Sequence, residues 1–458
     1  MAGNRVTMTE GSLLGVLLRV ALPISAANIA QSVHHIVNAW FVGRLGEEAI
    51  AAVAASGPLF GVLMSLGSGL ATAGAVLVAQ NSGAGNAQGA NHSAAQSLVM
   101  VVIVAILFAL AGAALAPATL RLIGIEQSVF DLAWQYLTIS YAGLMPMFAF
   151  MVIQIMLQSA GEVRFAMLVM IGSVVLNALL DPLLIFGIGP WNGLGVPGAA
   201  LATVIAQFCA FLVVLRHLTN GRSGLHLKRA DFRPDLRLLK LALGIGLPAS
   251  IEQGARTFGS LLLMAIAALF GTASLAAFGM GGRVVFFWFA PMLGLSIATA
   301  AVVGQNIGAG RMDRAEQAAR LSGWVAFLGF TVIGVLHLPF MRAIMGALAP
   351  GAPEVVREAT RFGYIVFPFM GILALPQALN GAFRGAGSTR QAMIISLVMQ
   401  YGVQMPFAWG AALFTSMGVL AIWWSYPVAN IFASAIAIFW LLKGPWRKNV
   451  ADTGGRSD

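Results

Sequence analysis

The sequence predicts an all-α polytopic membrane protein, with twelve transmembrane helices in two homologous six-helix bundles. Three observations predict it. Charged residues make up 9% of the 458 and apolar ones 59%, whereas a soluble chain carries about 25% charged residues to clothe its surface. Apolar runs recur from end to end, many as long as the roughly 20 residues that cross a bilayer. The second half of the chain also repeats motifs of the first.

Charges, prolines and Gly/Asn clusters divide the chain into its elements. The first six spans are expected near 13–40, 49–80, 92–115, 128–157, 164–187 and 194–217, forming an N-terminal bundle over 1–216. The second six are expected near 237–269, 273–305, 317–345, 355–384, 390–414 and 418–443, a C-terminal bundle over 237–443. The only long polar stretch begins at His217, so 217–236 is expected to be a cytoplasmic linker and 444–458 a cytoplasmic tail. The first apolar run is broken by Pro23 and lacks a small-residue cleavage site, so it is expected to stay as the first helix.

The net charge of +10 raises nucleic acid as a partner, but the basic residues are scattered through short loops. That pattern fits the positive-inside rule instead. With both termini cytoplasmic, nineteen basic residues fall inside and five outside: Arg44, Arg121, Arg342, Arg357 and Arg361. Arg256 and Arg283 fall within spans. The lone cysteine, Cys209, excludes an intrachain disulfide.

The repeat keeps nearly one offset. Leu22-Pro23 recurs as Leu247-Pro248, and Val78-Ala79-Gln80-Asn81-Ser82-Gly83-Ala84-Gly85 as Val303-Gly304-Gln305-Asn306-Ile307-Gly308-Ala309-Gly310, both 225 residues on. Ala160-Gly161 with Arg164 and Met167 matches Ala386-Gly387 with Arg390 and Met393 at an offset of 226. Six spans is an even number, so both halves run the same way through the membrane. A pseudo-two-fold axis along the membrane normal follows, with a cavity where the bundles meet.

A charge at mid-bilayer costs a few kcal/mol or more, so ionisable residues within spans need an explanation. Of sixteen acids, only Asp181 and Glu252 sit well inside. Asn177 lies one turn before Asp181, on the same helical face. In the first helix Gln31, His34, His35 and Asn38 share one face, with Asn28 a turn earlier, and such a stripe belongs on a bundle interior. Glu252 and Arg256 stand four apart in the favourable order for an ion pair. Arg283 has no neighbour in sequence to pair with; it meets Asp181, Glu252 or an anionic substrate group.

Five motifs carry a family resemblance: Phe41-Val42-Gly43-Arg44-Leu45-Gly46; the two Gln-Asn-x-Gly-Ala-Gly segments; Asn177-Ala178-Leu179-Leu180-Asp181-Pro182; Gly195-Val196-Pro197-Gly198-Ala199-Ala200; and Arg384-Gly385-Ala386-Gly387-Ser388-Thr389-Arg390. In order and spacing the chain resembles the multidrug and toxic compound extrusion (MATE) transporters of bacteria over essentially its whole length. The resemblance implies a secondary active antiporter in the cytoplasmic (inner) membrane, acting as a monomer. It would export cationic or amphiphilic organic compounds by alternating access, with proton or sodium influx as the drive and no cofactor beyond that ion.

By the same resemblance Asn177, Asp181 and Thr203 form a cation site, an oxygen set that suits sodium or an exchangeable proton. The plain alternative is that Asp181 only bridges helices around the Pro182 break. The family usually has an acid where this chain has Asn38. Asn38 cannot titrate, so either His34 or His35 handles protons or both are neutral residues bonded to neighbouring helices. Glu252 similarly serves coupling or a structural ion pair.

Two other exporter readings stay open: a lipid-linked-saccharide flippase, against which twelve spans and a clean repeat argue, and an exporter of an anionic or specific endogenous metabolite. No metal spacing, nucleophile motif or phosphate loop suggests an enzyme. Two homologous bundles around a midplane site are carrier architecture rather than that of a receptor or channel.

Overall fold

A computed structural model describes residues 6–122, 124–220, 224–444 and 446. The helices run in twelve rods. Those of the first half are α1 (Leu13–Gly43), α2 (Glu47–Gly83), α3 (Ala87–Leu122), the pair α4 (Gln127–Ala142) and α5 (Leu144–Ser159), α6 (Val163–Phe186) and α7 (Val196–Thr219). Those of the second half are α8 (Leu236–Ala268), α9 (Thr272–Gly308), α10 (Met312–His337) with α11 (Met341–Leu348), α12 (Pro353–Val366) with α13 (Met370–Gly385), α14 (Thr389–Leu397) with α15 (Met405–Phe414), and α16 (Leu420–Lys443). The twelve spans expected from sequence correspond to these rods one for one.

Breaks within rods have chemical causes. The α4–α5 pair bends by 52° at Gly143, where Pro146 has no N–H to offer the carbonyl of Ala142. Short 3₁₀ turns at Leu338–Phe340 and Phe367–Phe369 each hold a proline. Between α14 and α15 the chain winds as a π-helix over Val398–Gln404, just before Pro406. Spanning helices tolerate such breaks where neighbouring groups re-satisfy the freed backbone. Outward-facing Leu107, Leu110 and Leu115 are exposed, as lipid-facing residues are.

The repeated motifs close helices. Gly85 and Gly310 take positive φ, 70° and 72°, as do Gly161 and Gly387 at 96° and 76°. After α2 and α9, Asn86 N–H donates to Asn81 O at 3.0 Å and Arg311 N–H to Asn306 O at 2.8 Å, the Schellman arrangement that favours glycine at the left-handed position.

The chain forms two compact units, and they do not divide at the linker. One comprises mainly Ala26–Ser250; the other comprises Met8–Ser25 together with the described residues from 251 to 446. The boundaries expected at 216 and 237 are thus displaced, because the leading segments of α1 and α8 each pack with the opposite set of helices. In the first unit Ser250 docks where Gly69 has no side chain, since a Cβ there would lie 2.1 Å from its Oγ, and it donates to Leu66 O at 2.8 Å. In the second unit Ser25 docks on Gly294, with 2.3 Å to such a Cβ, and donates to Pro291 O at 3.4 Å. All three pairs (Ser25/Ser250, Gly69/Gly294, Leu66/Pro291) obey the offset of 225.

The polar stretch after α7 is docked rather than loose. Leu225 and Leu227 are buried. Gln96 donates to Asp231 O at 2.8 Å and Arg233 O at 2.7 Å, and accepts from the Asp235 N–H at 3.0 Å. Residues 221–223 of the expected linker, and all of the 444–458 tail except 444 and 446, lie outside the described residues.

Candidate functional site

The first unit gathers polar groups from α1, α6 and α7. Asp181 is wholly buried and Asn177 nearly so. The Asn38 amide of α1 spans both carboxylate oxygens of Asp181, at 3.5 and 3.4 Å. Asn177 Nδ2 donates to Thr203 Oγ1 at 3.1 Å, and Thr203 in turn donates to Ala199 O. That leaves Asn177 Oδ1 buried without a protein partner. A carboxylate, a free amide oxygen and a hydroxyl oxygen therefore lie on adjoining faces of α6 and α7. Pro182 withdraws one backbone donor beside them.

Val42, Ala49, Ile185, Val196 and Ala199 form one buried cluster, with Phe41 and Tyr136 packed against it. Tyr136, on α4, lies within electrostatic reach of the Asp181 carboxylate. A two-stranded hairpin, β1 (Gly187–Ile188) and β2 (Trp191–Asn192), pairs Gly187 with Asn192 and ties α6 to α7. There Gly198 permits a close approach, since a Cβ would stand 2.2 Å from Leu184 O.

Earlier along α1, Gln31 Nε2 lies 3.4 Å from His35 Nε2. His34 is buried with Nδ1 unpartnered, and His35 is exposed. Among the described residues no hydrogen bond joins either histidine to Asp181.

The second unit holds a different arrangement. Glu252, 1% exposed, receives Arg384 Nη1 on both carboxylate oxygens at 3.3 and 3.4 Å and Ser396 Oγ at 3.3 Å. Arg256 Nη2 stands 3.5 Å away, so the pair expected from sequence forms. Arg384 Nη2 also donates to Ser296 Oγ at 2.8 Å, and Arg256 Nη1 to Gln377 Oε1 at 2.8 Å. Sequence reasoning missed Arg384, which the charge count had placed in a loop; its side chain is 12% exposed. For Arg283, expected to meet Asp181, Glu252 or an anionic substrate group, no pairing with Glu252 is found. Arg283 is exposed, no ion pair includes it among the described residues, and Glu252 is already held by two other arginines.

Helices of this length, grouped in two repeat-related units with a buried carboxylate in each half, define a membrane carrier. The MatE family model matches residues 23–183 and again 248–410, starting at Pro23 and Pro248, 225 residues apart. The chain belongs to the MatE family; it is a multi-pass membrane transporter, not an enzyme. It is 28% identical over 431 residues to the probable multidrug resistance protein YoeA of Bacillus subtilis, covering 93% of each chain. It is also 28% identical over 453 residues to a FAD transporter of Shewanella oneidensis, covering 96% of this chain and 97% of that one. The solved structure of a MATE protein in complex with MaL6 superposes with a TM-score of 0.91 at 23% identity, over 96% of this chain and 98% of that one.

Proposed function

We propose that the protein is a secondary active antiporter that exports organic amphiphiles, driven by inward flow of protons or sodium ions that load at Asp181. One contrast carries this reading. Of the acids buried in spans, Glu252 is matched by Arg384 and Arg256 and Glu358 by Arg361 and Arg357, whereas Asp181 has a neutral amide, Asn38, as its hydrogen-bond partner. A carboxylate already paired with guanidinium groups has little affinity left for another cation. One facing only neutral oxygens and amides has no such competitor, and binding a proton or a small hard cation relieves its burial. Asn177 Oδ1 and Thr203 Oγ1 supply further oxygens for sodium, and for a proton Asp181 suffices. The multidrug resistance proteins among its relatives support the cargo class.

In this reading both termini and the 217–236 segment face the cytoplasm of a bacterium and the protein sits in its inner membrane, because basic residues concentrate on that side. A single chain supplies both units, so a monomer suffices. The direct test is ethidium efflux from proteoliposomes under separately imposed proton and sodium gradients. Efflux driven by one gradient supports the antiporter, and downhill leakage indifferent to both overturns it.

A further inference from the structure

The second unit contains a half-open cavity of about 150 Å³. Its walls include Arg256 from α8, Phe289 from α9, Gln377 and Asn380 from α13, Gln400 from the π-helical segment and Tyr426 from α16. Arg256 is the one charged side chain among the described lining residues. Behind it stand Glu252 and Arg384, so two guanidinium groups share one carboxylate, and among the described residues no second acid pairs with either. The group carries one positive charge in excess. An unmatched charge buried in a membrane span is unfavourable, and an anion in the cavity would match it.

The excess is peculiar to this half. The 225 and 226 offsets set Gln31 opposite Arg256 and Gln158 opposite Arg384. Positions that are neutral in the unit holding Asp181 are cationic in the other.

The cavity wall is also incomplete in its hydrogen bonding. Gln377, 8% exposed, spends Oε1 on Arg256 and leaves Nε2 unpartnered. Asn380, 2% exposed, donates to Ser396 Oγ at 3.4 Å and leaves Oδ1 unpartnered. A free donor next to a guanidinium fits an anionic oxygen, and the free acceptor fits a neighbouring N–H or O–H. The apolar part of the wall includes Phe289, whose ring centre lies 5.8 Å from the Arg256 guanidinium carbon. Gln400 is seated in the space left by Gly259, where a Cβ would meet its Nε2 at 2.3 Å. The π-helix, a winding found often at functional sites, carries this residue.

We propose that this cavity binds the carboxylate or phosphate head of an organic anion that also bears an N–H or O–H donor and an aromatic or aliphatic body. Arginine suits the role because its planar fork matches both oxyanions. As a statement about cargo it rests on the exporter reading and narrows the amphiphiles to anionic ones; as a statement about binding it needs no gradient.

The isosteric series benzoate, benzamide and benzamidine, with phenyl phosphate added, tests it by calorimetry on the full chain in lipid nanodiscs, corrected by empty nanodiscs. Benzoate or phenyl phosphate, or both, should bind at least tenfold more tightly than benzamide and benzamidine, and the preferred head identifies the oxyanion. Arg256→Gln should lose tenfold or more of that affinity, with Arg256→Lys intermediate. Gln400→Glu, which keeps the shape and cancels the excess charge, should lose the anions and gain benzamidine even if Arg256→Gln fails to fold. Benzamidine binding as tightly as the anions, no anion binding, or anion affinity unchanged in Gln400→Glu would overturn the proposal. Intact anion binding in a protein that shows no gradient-driven efflux would sink the exporter reading alone.

Discussion

Arg384 reaches from the last turn of α13 to donate to both carboxylate oxygens of Glu252 on α8, closing a contact between residues 132 apart in sequence. Removing Glu252 leaves Arg384 and Arg256 buried together without a counter-charge, and breaking a buried pair in this way costs about 3–5 kcal/mol; removing Arg384 leaves Glu252 only the longer contact with Arg256. Arg384→Gln and Glu252→Gln should each lower the thermal unfolding temperature of the detergent-solubilised protein. The double variant should be less destabilised than the sum of the two. Strict additivity would show that the pair does not act as a unit.

Asp181→Asn should abolish gradient-driven efflux while expression, insertion and unfolding temperature stay near those of the parent. The substitution keeps the shape of a side chain bonded to Asn38 and removes only its capacity to bind a proton or cation. Normal efflux by this variant would reduce Asp181 to a structural role.

His34 and His35 are the titratable groups nearest to Asn38 on α1, and Asn38 itself cannot titrate. If they relay protons, His34→Gln with His35→Gln should impair proton-driven efflux more than substrate binding, and Asn38→Asp should remain active with an altered pH profile. Unchanged profiles in both would confine proton handling to Asp181.

Orientation can be read by labelling. In a Cys209→Ser background, Lys228→Cys should resist an impermeant maleimide added to intact cells, whereas Arg121→Cys should react. Equal labelling at both positions would invert the topology.

Asp235 caps α8, with Oδ1 accepting from the Arg237 N–H at 2.9 Å and the Leu238 N–H at 3.2 Å. The Leu238 N–H above all, then His92 and the Arg237 N–H, hold its carboxyl below the ordinary 3.8 against a smaller opposing effect of burial. A depressed value means stability that is present above the unfolded-state value and lost as pH falls through the folded one. Asp235→Ala should therefore cost about 1 kcal/mol at neutral pH, as loss of a helix cap does. The gap should shrink in acid as the parent carboxyl protonates. A gap that is constant with pH would mean that the charge contributes nothing.

The helices were legible because they rest on local signals, whereas the link from Asn38 and Thr203 to Asp181 came only through the family resemblance. Asn177 and Asp181 share a face by spacing alone, and the Gly-Ala-Gly ends of α2 and α9 announce the left-handed caps found at Gly85 and Gly310. Arg384 was not legible, since a basic residue at a span's end reads as a loop residue. Helical side chains tilt toward the N-terminus, and this one turns back into the helix pack, where Glu252 waits. The unit boundaries were hidden for another reason. They depend on packing between segments more than 180 residues apart, such as Ser250 against Gly69. A trace was present all the same: Leu22-Pro23-Ile24-Ser25 recurs as Leu247-Pro248-Ala249-Ser250, serine included.

The traded leading segments have a consequence for how such a chain is assembled. Residues 8–25 are synthesised more than 200 residues before the rest of their unit, which begins at Ile251, so the opening stretch of α1 waits for most of its neighbours to exist. Either half synthesised by itself would carry a leading stretch built for the other and would lack its own. Co-expressed halves can complete each other, and a single half can do so only by lending its leading stretch to a second copy.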